Sequence, residues 1–251
     1  MPGWDIWFFA VAAPAVLFAG ISKGGFGSGA AFASSAILAL ILPPAQAVAL
    51  MLPLLMVIDL SALRPYWGKW HRPDARALIL GALPGVAAGM ALFGLADADL
   101  LRLLIGAISV GFVIWHGLQR LGRIRSPARR LPGWAGLLAG LVAGFTSFVS
   151  HAGGPPAAVY LLSQRLDKTT FQATTVIVFW AINLMKFPPY LALGLFSADT
   201  LWAVLVLAPV AVAGTWLGVR AHRVVSDGLF FAFTYLLLGL TGARLIWRAL
   251  V

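Results

Sequence analysis

The sequence predicts an all-α polytopic membrane protein with eight to ten spans. It is expected to form two inverted repeats of about five helical segments, with broken helices or re-entrant hairpins near mid-membrane. Three observations predict this. First, 61% of the 251 residues are apolar and only 10% are charged, whereas a soluble domain is about half apolar and about a quarter charged. A soluble chain this short has too little interior to hide so much apolar surface. Second, the apolar residues fall into runs that approach the roughly 20 helical residues needed to cross a hydrocarbon core about 30 Å thick. Third, five runs precede a basic stretch and five follow it.

Read between charges, prolines and glycines, the first five runs are 5–21, 26–42, 45–63, 76–94 and 99–118. Asp5 precedes the first run where a signal peptide would carry basic residues, so this run reads as a retained helix. The stretch from Gln119 to Gly133 carries Arg120, Arg123, Arg125, Arg129 and Arg130 and no acid. The second five runs are 134–149, 153–164, 169–187, 199–219 and 228–247. The expected organisation is a first membrane repeat at 1–118, a basic cytoplasmic linker at 119–133 and a second repeat at 134–251. The 153–164 run is too short to span untilted. The first two segments of each repeat therefore form either a re-entrant hairpin or one full span and a half-helix.

A shift of 124 residues relates the halves. It places Gly20 on Gly144, each followed by a short polar break containing glycine, and Asp59 on Asn183. A shift of 125 places Pro84 on Pro209 and Gly89 on Gly214. Charge then sets orientation. The loop 64–76 (Arg64, Lys69, Arg72 and Arg76 against Asp74) and the linker 119–133 are expected in the cytoplasm. The turns at 95–99 and 188–198 suit the outside, and Arg220 and Arg223 put 220–227 inside. The halves are then inverted, as an odd number of segments per repeat requires. Arg244 and Arg248 fall outside, against the charge rule. Inverted repeats with interrupted helices are a transporter signature.

The breaks are where chemistry can sit. In the first, Ser22-Lys23-Gly24-Gly25-Phe26-Gly27-Ser28-Gly29, each glycine costs about 1 kcal/mol in a helix relative to Ala. Non-helical backbone at membrane depth survives only where it faces protein or a wet cavity. Two fresh helix starts brought together there would present free N–H groups to an anion. The alternative is that the glycines serve close packing, as in Gly136-xxx-Gly140-xxx-Gly144, Gly85-xxx-Gly89 and Gly214-xxx-Gly218. Lys23 either meets an anionic ligand or snorkels to headgroups.

The second break runs from Thr146 through Ser147, Ser150 and His151 to Gly153 and Gly154. His151 can donate to an anion and carry a proton near neutral pH, or it can be a packed histidine. The hydroxyls of Ser22, Ser28, Thr146, Ser147 and Ser150 offer donors, or back-bond to their own helices. Asp59 is a candidate proton carrier, or is held by Arg64. Asn183 and Lys186 share a helix face at i, i+3, and Lys186, just before Pro188-Pro189, is expected near the outer surface. Trp4, Trp7, Trp67, Trp70, Trp134 and Trp247 lie near run ends as interfacial anchors.

Several classes are excluded. The balance of 18 Lys and Arg against 8 Asp and Glu would suggest nucleic acid in a soluble protein. Here the basic residues sit in short loops, so the partners expected are the bilayer and a small anion. The absence of Cys removes disulfides, thiolate metal sites and thiol nucleophiles. Four scattered His without an HExxH pattern suggest no metal, and no residue stripe calls for a cofactor. An intramembrane hydrolase would find its residue types in Ser150, His151 and Asp59. Adjacent helix residues point about 100° apart, however, and no nucleophile motif surrounds them, so no enzyme is expected. A passive channel would share the same pocket and differ in having a continuous pore. The oligomeric state is not readable.

These features resemble the TauE/SafE family, the sulfite-exporter-like permeases. The resemblance rests on Gly20-Ile-Ser-Lys-Gly-Gly-Phe-Gly-Ser-Gly, on His151-Ala-Gly-Gly-Pro-Pro, on Pro53, on Tyr66-Trp-Gly-Lys-Trp and on Asn183-Leu-Met-Lys-Phe-Pro. It spans essentially the whole chain. It implies secondary transport, usually export, of sulfite, sulfonates or related anions across a bacterial inner membrane, with substrate at the two breaks and the Asn183–Lys186 segment. The second break departs from a glycine-rich pattern between Thr146 and Ala152 and contains His151.

Overall fold

The computed structural model describes residues 5–26, 31–123, 129–221 and 227–251, and every regular element among them is a helix. The helices are α1 (Ile6–Ile21), α2 (Phe32–Leu38), α3 (Pro44–Tyr66), α4 (Arg72–Leu95), α5 (Ala98–Arg120), α6 (Gly133–Ser150), α7 (Gly154–Ser163), α8 (Lys168–Ala192), α9 (Ala198–Ala221) and α10 (Asp227–Leu250). Seven of the described helices are long and apolar enough to cross a membrane. At 24 residues α10 also has the length. With 7 and 10 residues, α2 and α7 are too short to cross. Asp5, Asp97 and Asp167 cap α1, α5 and α8 by accepting from backbone N–H groups of the first turn.

Both short helices fold back on their predecessors. Ser34 Oγ of α2 donates to the Ala15 carbonyl of α1 at 2.6 Å. Gln164 at the end of α7 donates to the carbonyl of Leu131, just before α6, at 3.0 Å. The α6–α7 unit is therefore a helical hairpin, with the end of α7 bonded beside the start of α6.

The first break differs from expectation. Ser22–Phe26 continues α1 as a π-helical turn rather than opening the backbone. Packing against α9 overrides the weak intrinsic preference of glycine. A Cβ on Gly24 would run into the Thr215 carbonyl oxygen, and one on Gly25 into that of Gly218. The candidate residues Gly27, Ser28 and Gly29 lie outside the described residues.

The long helices pair in a regular way. α1 packs on α9 and α6 on α4, while α3 packs on α8 and α5 on α10. Small residues make the first two contacts close. Gly214 and Gly218 face the Leu17 and Ile21 carbonyls, and Gly81 and Gly85 face those of Leu137 and Leu141. α3 is the most buried of the spans and α5 among the most exposed. Outward residues such as Leu83, Leu141, Leu205 and Leu240 are exposed, as a face solvated by lipid requires.

A buried polar cluster between the two broken segments

The centre of the bundle is where α3 crosses α8, and the π-turn and the α6–α7 elbow both reach it. On α8, Gln172, Phe179, Asn183, Lys186 and Tyr190 are all buried. Their spacing of 7, 4, 3 and 4 places them on one helix face. Asp59 and Tyr66 lie at a spacing of 7 on α3.

Lys23 Nζ lies 2.6 Å from Asp59 Oδ1, with both side chains buried. Asn183 Nδ2 donates to the other carboxylate oxygen at 2.7 Å. The ammonium also stands 5.6 Å from the centre of the Phe179 ring, within cation–π range. The backbone under Lys23 is tied as well. Gln172 Nε2 donates to the Lys23 carbonyl at 2.7 Å, and the Tyr66 hydroxyl donates to the Gly24 carbonyl at 3.0 Å. These carbonyls sit in a π-turn, where helical pairing is altered. Arg64 is exposed, so the Asp59–Arg64 pair admitted from sequence is replaced by Lys23 and Asn183.

Lys186 is 0% exposed, which corrects the expected place near the outer surface. Packing of α8 against α3 and the α6–α7 elbow carries it inward. Its Nζ donates to the Ser147 carbonyl and to Ser147 Oγ, each at 3.0 Å, and to His151 Nδ1 at 2.7 Å. His151 ends α6 in the left-handed conformation, φ 59°, which histidine tolerates better than most residues. Its Nε2 is 2.9 Å from the Val48 carbonyl of α3. A carbonyl can only accept, so the ring proton is on Nε2 and Nδ1 is free to accept from Lys186. Tyr190 closes the elbow from outside by donating to the Phe148 carbonyl at 2.6 Å.

The remaining candidates have other duties. Ser150 Oγ donates to the Thr146 carbonyl of its own helix, and no Ser150–His151–Asp59 triad forms. Gly153 lies against the Ala143 carbonyl and the Phe179 ring, 2.6 and 2.8 Å from where a Cβ would stand. Gly154 starts α7, whose second and third residues are Pro155 and Pro156. Prolines carry no N–H, so this helix start offers fewer donors to an anion than expected. Among the described residues no group of His, Asp and Glu is arranged to hold a metal.

Sequence reasoning did not single out Gln172, Phe179 or Tyr190. A signal for the tyrosine was present, since Tyr66 and Tyr190 are 124 residues apart, the shift that relates Asp59 to Asn183.

Among known proteins, a family model described as Sulfite exporter TauE/SafE matches residues 12–245, nearly the whole chain. No curated protein and no solved structure matches. With ten helices, seven of them apolar spans among the described residues, and a buried charged cluster at the two broken segments, the chain is a multi-pass membrane protein that belongs to the TauE/SafE sulfite exporter family.

Proposed function

We propose that this chain is a secondary transporter that exports small sulfur-containing anions, such as sulfite or sulfonates, across a bacterial inner membrane by alternating access. The observation that carries this reading is the buried excess of positive charge. Lys23 and Lys186 are both buried, and Asp59 is the one carboxylate that meets either of them among the described residues. A charge at the bilayer centre costs about 2.5–3.5 kcal/mol or more and persists mainly with a partner or a task. An oxyanion can accept from ammonium, amide and hydroxyl together, and Lys23, Asn183, Lys186 and Ser147 supply those donors.

The reading includes inverted repeats at residues 1–118 and 134–251, joined by a cytoplasmic linker. Two hydrogen bonds support it. Tyr66 to Gly24 and Tyr190 to Phe148 each join residues 42 apart, and a shift of 124 carries one onto the other. The helix pairing supports it as well. The first helix of each half packs on the fourth of the other (α1 on α9, α6 on α4), while α3 meets α8 and α5 meets α10. Alternating access then follows when one repeat rocks against the other about a fixed site, with Asp59 and His151 as the groups that couple protons.

The test is charge movement of the chain in proteoliposomes on a supported membrane, with sulfite, taurine, sulfoacetate, sulfate and acetate, each with and without a pH gradient. A saturable current with sulfite or a sulfonate, lost in Lys23→Ala and His151→Ala, is the expected result. Channel-like rates running only downhill would favour a passive pore instead. If currents and radiolabel uptake were silent to the whole panel, the substrate class would be abandoned.

A further inference from the structure

The net charge of the central cluster is fixed by four side chains, and it bears on which anions the site of the carrier reading accepts. Among the described residues these are Lys23, Asp59, His151 and Lys186, all buried. The other buried carboxylate, Asp74, is engaged elsewhere, by His71 and Tyr160 at 2.7 and 2.8 Å. Asp59 closes an ion pair with Lys23 at 2.6 Å. The three acceptors around Lys186 Nζ match the three N–H groups of an ammonium, and none of them is an anion. His151 is neutral in this arrangement, because Nε2 holds the proton toward Val48 and Nδ1 accepts from Lys186. With Lys186 protonated, the sum is one ion pair and one ammonium without a counter-ion.

We infer that the site selects singly charged anions, and that Asp59 sets this selectivity by cancelling the charge of Lys23. The inference rests on the anion-carrier reading of the same site. One monovalent anion that displaces an acceptor of Lys186 brings the buried cluster to neutrality. A dianion leaves it negative, and uncompensated charge is what a low-dielectric interior penalises. Asn183, the neutral counterpart of Asp59 at the shift of 124, holds the carboxylate in place without adding charge.

The experiment uses methanesulfonate as monoanion and ethanedisulfonate and sulfate as dianions, since their charges are constant around neutral pH. Each is tested at fixed ionic strength in two ways: as a competitor of labelled sulfite counterflow in proteoliposomes, and as a thermal stabiliser of the purified full chain. For the wild type, methanesulfonate should act at concentrations at least about tenfold below those of the dianions, a gap of roughly 1.4 kcal/mol or more. Asp59→Asn raises the cluster by one charge and should abolish or reverse that preference. The double variant Lys23→Gln/Asp59→Asn restores the original sum and should restore the preference in thermal stabilisation, the readout that does not need the flux lost with Lys23. It also keeps the test available should the single variant fold poorly.

Equal potency of mono- and dianions on the wild type would overturn the inference. So would a folded Asp59→Asn chain, or a folded double variant, that ranks the anions against these expectations. Counterflow with a flat ranking would remove the inference and leave the carrier. Ranked stabilisation without counterflow would remove the carrier and leave a charge-selective site. Neither flux nor stabilisation would remove both.

Discussion

Asn183 donates to the Asp59 carboxylate at 2.7 Å across 124 positions of sequence, so the two residues that one shift superimposes are also in contact. This pair lies where α3 crosses α8, as the proposed repeat axis requires. Lys23 completes the group from the π-turn, whereas the residue 124 positions after Lys23 is Ser147, which accepts from Lys186 instead. The positions related by this shift thus differ in charge.

Removing one member of the ion pair should cost far more than removing both. Asp59→Ala leaves Lys23 buried and unpaired, with an expected loss of about 3–5 kcal/mol. The double variant Lys23→Met/Asp59→Leu should recover most of that loss while transport stays absent. Thermal unfolding of the detergent-solubilised chain measures the first, and sulfite counterflow the second. Equal destabilisation by single and double variants would show that the pair does not act as a unit.

Glycine substitutions should separate packing from local preference. Gly24→Ala and Gly25→Ala push a methyl group into the α9 backbone and should destabilise by about 1–3 kcal/mol or more. Gly111 on α5 has nothing within 4 Å of a Cβ, so Gly111→Ala should stabilise by up to about 1 kcal/mol. The ordering of the melting temperatures decides it.

At the elbow, backbone and ring can be told apart. His151 has φ 59°, so His151→Ala should be less stable than His151→Gly by about 1 kcal/mol. Both lose the bonds to Lys186 and Val48, and both should lose transport. Activity retained in His151→Gly would place the role of this residue in its backbone alone.

Sidedness is testable because the chain has no cysteine. Single cysteines at the exposed positions Lys69 and Gly133 should react with an impermeant maleimide only after the membrane is opened. Cysteines at Asp99 and Ser197, also exposed, should react in intact cells. The reverse pattern would invert the expected orientation.

Much of the fold is legible in the sequence because hydrocarbon imposes a simple rule. Apolar runs must be helical and near spanning length, and the runs written from charges, prolines and glycines coincide with ten observed helices to within a few residues at most ends. The short 153–164 run shows by its length that it cannot span untilted, which left a hairpin and a half-helix both open. The first break misled because glycine content speaks for the isolated helix, whereas Gly24 and Gly25 are held against α9.

The site divides along the same line. The sequence by itself determined that Lys23, Asp59, His151, Asn183 and Lys186 are polar groups stranded in apolar surroundings, and that each therefore needs a partner. It also determined the shift of 124 that relates Asp59 to Asn183. Only the tertiary structure decided the partners. Lys23 chose Asp59 over solvent or headgroups, Arg64 was left outside, and Lys186 turned inward to His151 and Ser147. The reason is physical: a buried charge takes its partner from whatever the crossing of α3, α8 and the two broken segments brings within hydrogen-bond distance. That crossing is set by helix packing, to which sequence spacing along a single helix is blind.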